Sequence, residues 1–119
     1  MPVRLLSSFV LRWPDAQTVE AALRRWVAQM VKIRPEVMRI GYFGSYARGD
    51  WGPGSDVDIV IVVTDSAEPF HKRASEWDVT ELPVPAQVLV YTKAEWDNLS
   101  QQGRFGREVT REAIWVYPA

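Results

Sequence analysis

The stretch from Gly44 to Val63, GSYARGDWGPGSDVDIVIVV, constrains this chain more than any other. Gly44-Ser45 closes an apolar, strand-like run and can open a short helix at Tyr46-Ala47-Arg48. Asp50 to Ser55 reads as a turn, punctuated by Gly52-Pro53-Gly54. Asp56-Val57-Asp58 then enters five consecutive Val and Ile residues, the pattern of a buried strand. Side chains alternate along a strand, so Asp56 and Asp58 share one face while Val57 and Ile59 take the other. Two carboxylates on one face of a strand that turns fully apolar are costly, because they repel each other and burial strips their hydration. A divalent cation offsets both costs, and Mg²⁺ favours one or two protein carboxylates together with substrate phosphates. The Gly-Ser turn supplies the complement: backbone N–H groups at a helix start attract phosphate oxygens, and glycine permits close approach. A phosphate cradle and a paired-carboxylate site, separated by ten residues, point to a metal-nucleotide site.

These residues, Gly44-Ser45 followed after ten residues by Asp56-x-Asp58, resemble the signature of the DNA polymerase β-like nucleotidyltransferase superfamily. The longer form, GSYARGD…SDVDIVIV, is similar to its small members, the minimal nucleotidyltransferases. The similarity is good from Val37 to Tyr91 and looser elsewhere. It implies that Gly44 and Ser45 hold the triphosphate of an NTP, with the Ser45 hydroxyl donating to a phosphate oxygen. It implies that Asp56 and Asp58 bind two Mg²⁺ ions. Arg48 takes the position of the motif's arginine, where it either touches phosphate or braces the loop. The implied reaction is in-line attack of an acceptor hydroxyl on the α-phosphate, with pyrophosphate leaving.

One position departs from the pattern. Active members carry a third carboxylate on the next core strand; here, within PVPAQVLVYT, that position is Gln87. An amide can ligate a metal but is no useful base. Glu81 shares strand parity with Gln87, yet six extended residues span roughly 20 Å. Asp78, Glu95 and Asp97 reach the site only if a loop folds back.

The rest of the chain fits the same architecture. Its 119 residues suffice for one domain with a core, taken here as residues 1–119. Net charge is −1 and the basic residues are dispersed, which argues against a nucleic-acid partner held mainly through phosphates. The absence of Cys excludes disulfides, a thiol nucleophile and Cys-based zinc sites. No run approaches membrane-spanning length and no signal-peptide plan is visible, so a cytoplasmic location is expected. Phe9-Val10-Leu11 reads as a short strand or a packed arm. Asp15 caps a helix with Val19, Leu23, Trp26, Val27, Met30 and Val31 on its apolar side, ending near Arg34 before Pro35. Glu36–Phe43 reads as an inner strand. Phe70, Ala74 and Trp77 suggest a short helix with one buried side and His71 exposed. Val84–Tyr91 is the third strand, with Pro83 and Pro85 marking an edge or a strand entry. Thr92-x-x-Glu95 is a capping box, opening a helix with Trp96 and Leu99 inward. A further helix spans Phe105–Ala113 with Phe105 and Val109 inward, and Ile114–Tyr117 ends as a strand.

The expected fold is therefore α/β (α+β): a mixed β-sheet with helices packed on it, the nucleotidyltransferase fold. Three functions fit. The first is an active transferase modifying a protein or small-molecule hydroxyl. The second, implied by the family resemblance, is a catalytically weak or inactive nucleotide-binding module acting as the antitoxin partner of a HEPN-type protein. The third is an unrelated α/β domain whose acidic strand start is structural.

Overall fold

The computed structural model describes residues 13–118. The expectation for Phe9–Leu11 lies outside them. Along the chain come helix α1 (Ala16–Ile33), strand β1 (Val37–Phe43), helix α2 (Ser45–Arg48), β2 (Val57–Val63) and helix α3 (Phe70–Arg73), continued by a 3₁₀ turn at Ala74–Glu76. Strand β3 (Ala86–Thr92), helices α4 (Lys93–Leu99) and α5 (Arg104–Glu112), and strand β4 (Ile114–Tyr117) complete it.

The four strands form one mixed sheet in the order β3-β2-β1-β4. β1 runs antiparallel to both β2 and β4, whereas β2 and β3 are parallel. A parallel pair requires a crossover, and α3 with its 3₁₀ turn provides it. The two prolines do mark a strand entry: β3 starts just after Pro85 and forms a sheet edge.

Each sheet face has its own core. On one face α1 lays Val19, Leu23, Trp26 and Val27 against Ile40, Tyr42, Val57, Ile59 and Ile61. On the other, Leu99 of α4 and Val109 of α5 cover Phe43, Val60 and Tyr91. This two-sided burial explains why β1 and β2 read as nearly continuous apolar runs. The helix starts follow local chemistry. Asp15 accepts the Thr18 N–H at 2.8 Å, and Thr92 and Glu95 form the full reciprocal capping box.

Two aromatic placements differ from the sequence expectation. Phe70 and Phe105 remain 41% and 55% exposed instead of turning inward. In the short α3 the buried position goes to Arg73, with Phe70 left against Tyr91 at 5.1 Å between ring centres. In α5 the point of closest approach is Gly106, where a Cβ would fall 2.0 Å from the Leu99 carbonyl oxygen. That contact turns Phe105, one residue earlier, toward the rim. Between them the two rings border an open groove of about 710 Å³ floored by Leu89, Tyr91 and Leu99.

Candidate active site

Asp58 is the second residue of β2 and pairs with Phe43 on β1 and Gln87 on β3. Phe43 is the last residue of β1, so the turn at Gly44-Ser45 lies beside the start of β2. Gly44 has φ +77°, and a Cβ there would lie 2.1 Å from Asp58 Oδ2. No side chain fits, and only glycine lets the turn come this near the carboxylate. α2 begins immediately after it and ends at Gly49, another left-handed glycine, whose N–H bonds the Ser45 carbonyl at 2.9 Å. The following turn is pinned twice. Ser55 Oγ accepts the Gly52 N–H at 2.9 Å, and Tyr46 stacks on Trp51 at 5.5 Å.

The structure brings Gly44, Asp56, Asp58 and Gln87 together at one end of the sheet. Gln87 Nε2 donates a long hydrogen bond of 3.4 Å to Asp56 Oδ2. Register places Gln87 beside Asp58, on the face that also carries Leu89 and Tyr91. Burial pushes the Asp58 pKa up, Asp56 pushes it further, Arg48 opposes, and Glu112 adds to the rise. The alternative acids are engaged elsewhere: Asp78 by Thr80, Glu95 by Arg73 and Asp97 by Lys93. His71 is exposed on α3, as expected.

One residue escaped the sequence reading. Glu112, at the end of α5, accepts the Gly44 N–H at 3.3 Å and an Arg48 Nη1 hydrogen bond at 3.1 Å. Arg48 also bonds Asp50 at 3.1 Å, so its guanidinium bridges two carboxylates. Nothing local in REAIWVY marks Glu112 as a site residue. Only the antiparallel return of β4 beside β1 carries the end of α5 to the Gly44 turn. Among the described residues, no three His, Cys, Asp or Glu side chains converge tightly enough to hold a metal ion. The close set is two carboxylates and an amide.

A family model described as a nucleotidyltransferase domain matches residues 23–114, well over half of the chain. The chain belongs to the nucleotidyltransferase domain family. The domain's fold agrees with solved structures at low sequence identity. A protein from Sulfolobus solfataricus proposed to be a nucleotidyltransferase matches with TM-score 0.61 and 19% identity, over 84% of this chain and 80% of that one. A toxin-antitoxin structure with AMP-PNP matches with TM-score 0.52 and 17% identity, over 81% of this chain and 73% of that one. No curated protein matches the sequence. The mixed four-stranded sheet with its flanking helices is thus the nucleotidyltransferase fold expected from the motif. Among the described residues no helix of this nucleotidyltransferase domain is long and apolar enough to cross a membrane.

Proposed function

We propose that this domain binds a magnesium-NTP and transfers its nucleotide, slowly, to a hydroxyl on a protein or small molecule. The observation that carries the reading is the contact of Gly44 with Asp58: a glycine-only turn that opens a short helix, set against a half-buried carboxylate whose neighbour is a second carboxylate. The donor set suits a hard cation. Asp56, Asp58 and Gln87 offer oxygen ligands only, and the mutual repulsion of the two aspartates is what a cation relieves. Two Mg²⁺ ions, when bound, would neutralise the triphosphate and the charge that develops on the leaving pyrophosphate.

The chain's own residues would do the rest. The backbone at Gly44 and the Ser45 hydroxyl hold phosphate oxygens. Arg48 adds a guanidinium whose fork geometry suits phosphate. Asp56 and Asp58 orient the metal-bearing side of the nucleotide. Gln87 turns its amide NH₂ toward Asp56 here and can turn its carbonyl oxygen inward beside a cation. It takes no proton from the acceptor, which makes transfer slow.

A second reading is favoured by that same amide. A domain with two acids where a third would help can serve as a nucleotide-binding antitoxin that acts through a HEPN-type protein partner. The structural similarity to a toxin-antitoxin protein bound to AMP-PNP supports keeping it. Incubation with labelled ATP, GTP, CTP and UTP, with Mg²⁺ and a lysate, tests the first reading. Labelled products that disappear in Asp58→Ala support transfer. Mg-NTP binding with no product under any condition favours the second.

A further inference from the structure

Glu112 holds an anion's place in the candidate site. Its side chain is only 17% exposed, and a single oxygen, Oε1, receives both the Gly44 N–H and the Arg48 guanidinium. A backbone N–H and a guanidinium converging on one oxygen is the pattern in which phosphate oxygens are held. Glu112 and Asp58 both lie against Gly44, and Asp58 already shares a strand face with Asp56. A third negative charge beside two others is unfavourable unless its donors need an anion more. Gly44 N–H and Arg48 are those donors.

The segment that delivers Glu112 is fixed. α5 is seated by Gly106 against Leu99 and by the buried Val109. Glu112 lies in its last turn, where side-chain rotation alone can move the carboxylate out. We propose that Glu112 is an internal competitor in the phosphate seat, displaced when a polyphosphate binds, and that it thereby sets the affinity of the site. The proposal rests on the nucleotide reading above. An incoming polyphosphate must replace the carboxylate at both donors, and it can do so because it brings several oxygens where Glu112 brings one.

The test is calorimetric binding of inorganic triphosphate and of ATP, each with and without Mg²⁺, to the full chain and to Glu112→Gln. The glutamine is nearly isosteric, and thermal melting confirms that the variant folds. Loss of the charge should tighten binding of both ligands about three- to tenfold, the net scale of one ordinary hydrogen bond. Glu112→Asp, which keeps the charge, should stay closer to wild type. In an Arg48→Ala background the Glu112→Gln gain should shrink, because the competed donor is gone. Unchanged or weakened binding in Glu112→Gln, with ATP still bound by wild type, overturns the competitor role and leaves the nucleotide reading standing. If neither protein binds ATP or triphosphate, both fall.

Discussion

Two charged clusters in this domain follow opposite logic. At Arg73 a buried guanidinium is fully engaged. It donates to the Glu68 and Val90 carbonyls at 2.8 and 3.1 Å and makes two bonds to the Glu95 carboxylate, the shorter of 2.6 Å. It ties the β2–β3 crossover to the edge of β3 and to the capping box of α4. At the start of β2 the arrangement reverses: Asp56 and Asp58 face each other, and the nearest group on β3 is a neutral amide. One cluster spends its charges on holding the chain together. The other keeps like charges adjacent and partly buried, which serves no stabilising purpose and suits a site awaiting a cation.

The largest expected effect comes from breaking the first cluster. Arg73→Ala removes the guanidinium from two carbonyls and leaves the Glu95 carboxylate with only its Thr92 partner. Unfolding in urea should show a loss of about 2–4 kcal/mol. A loss under 0.5 kcal/mol would mean that the crossover holds without Arg73. Next comes a change that sharpens the second cluster. If Gln87 stands where a third carboxylate works, Gln87→Glu should raise nucleotide transfer by at least roughly tenfold, the low end of what a general base contributes. Wild type turning over briskly, with Gln87→Ala no slower, would show that another group takes the proton. The mutant's apo form should be no more stable than wild type, because three carboxylates then crowd together.

The smallest effects are those of pH, and they have opposite signs at the two clusters. Arg73 holds the Glu95 pKa below its ordinary value, helped by the Thr92 hydrogen bonds. Its stabilisation is present above the unfolded pKa of about 4.3 and is lost as pH falls through the lower folded value. The Asp58 pKa is raised, chiefly by burial and then by Asp56. The folded state therefore holds that proton more tightly, and stability declines as pH rises from about 3.9 through the raised folded value. Both groups are partly exposed, so each contribution should stay below about 1 kcal/mol. Melting temperatures across pH 3 to 7 for Glu95→Gln and Asp58→Asn should separate the two. The first variant should remove the loss of stability on the acid side of the profile, and the second the decline as pH rises from about 3.9 toward neutrality. The same direction of change in both would refute the contrast.

What the sequence made legible was local. The Gly44-Ser45 turn, the alternation of Asp56 and Asp58, the helix caps at Asp15 and Thr92, and the extents of β1 and β4 are all written in neighbouring residues. Gln87 stood out only through the family resemblance; its place beside Asp58 comes from the parallel pairing of β2 with β3, which no neighbouring residue records. Glu112 was illegible because its place depends on β4 returning along β1, a long-range pairing with no local mark. Arg73 was hidden for a related reason. A buried arginine is readable only once its three acceptors, from a loop, a strand and a helix capping box, are assembled around it. Phe70 and Phe105 carry the apolar character of core residues, and nothing in their spacing shows that Arg73 and Gly106 take the inward positions.

The central claim is that the repelling aspartates exist for a metal-nucleotide. The most direct measurement is the melting temperature of wild type and of the double variant Asp56→Ala/Asp58→Ala, each with and without Mg-ATP. The account predicts that Mg-ATP raises the wild-type melting temperature, because a ligand bound only by the native state stabilises it. It predicts no shift in the double variant, whose apo form melts at or above the wild-type temperature once the repulsion is removed. An equal Mg-ATP shift in both proteins, or an apo double variant that melts well below wild type, would contradict it.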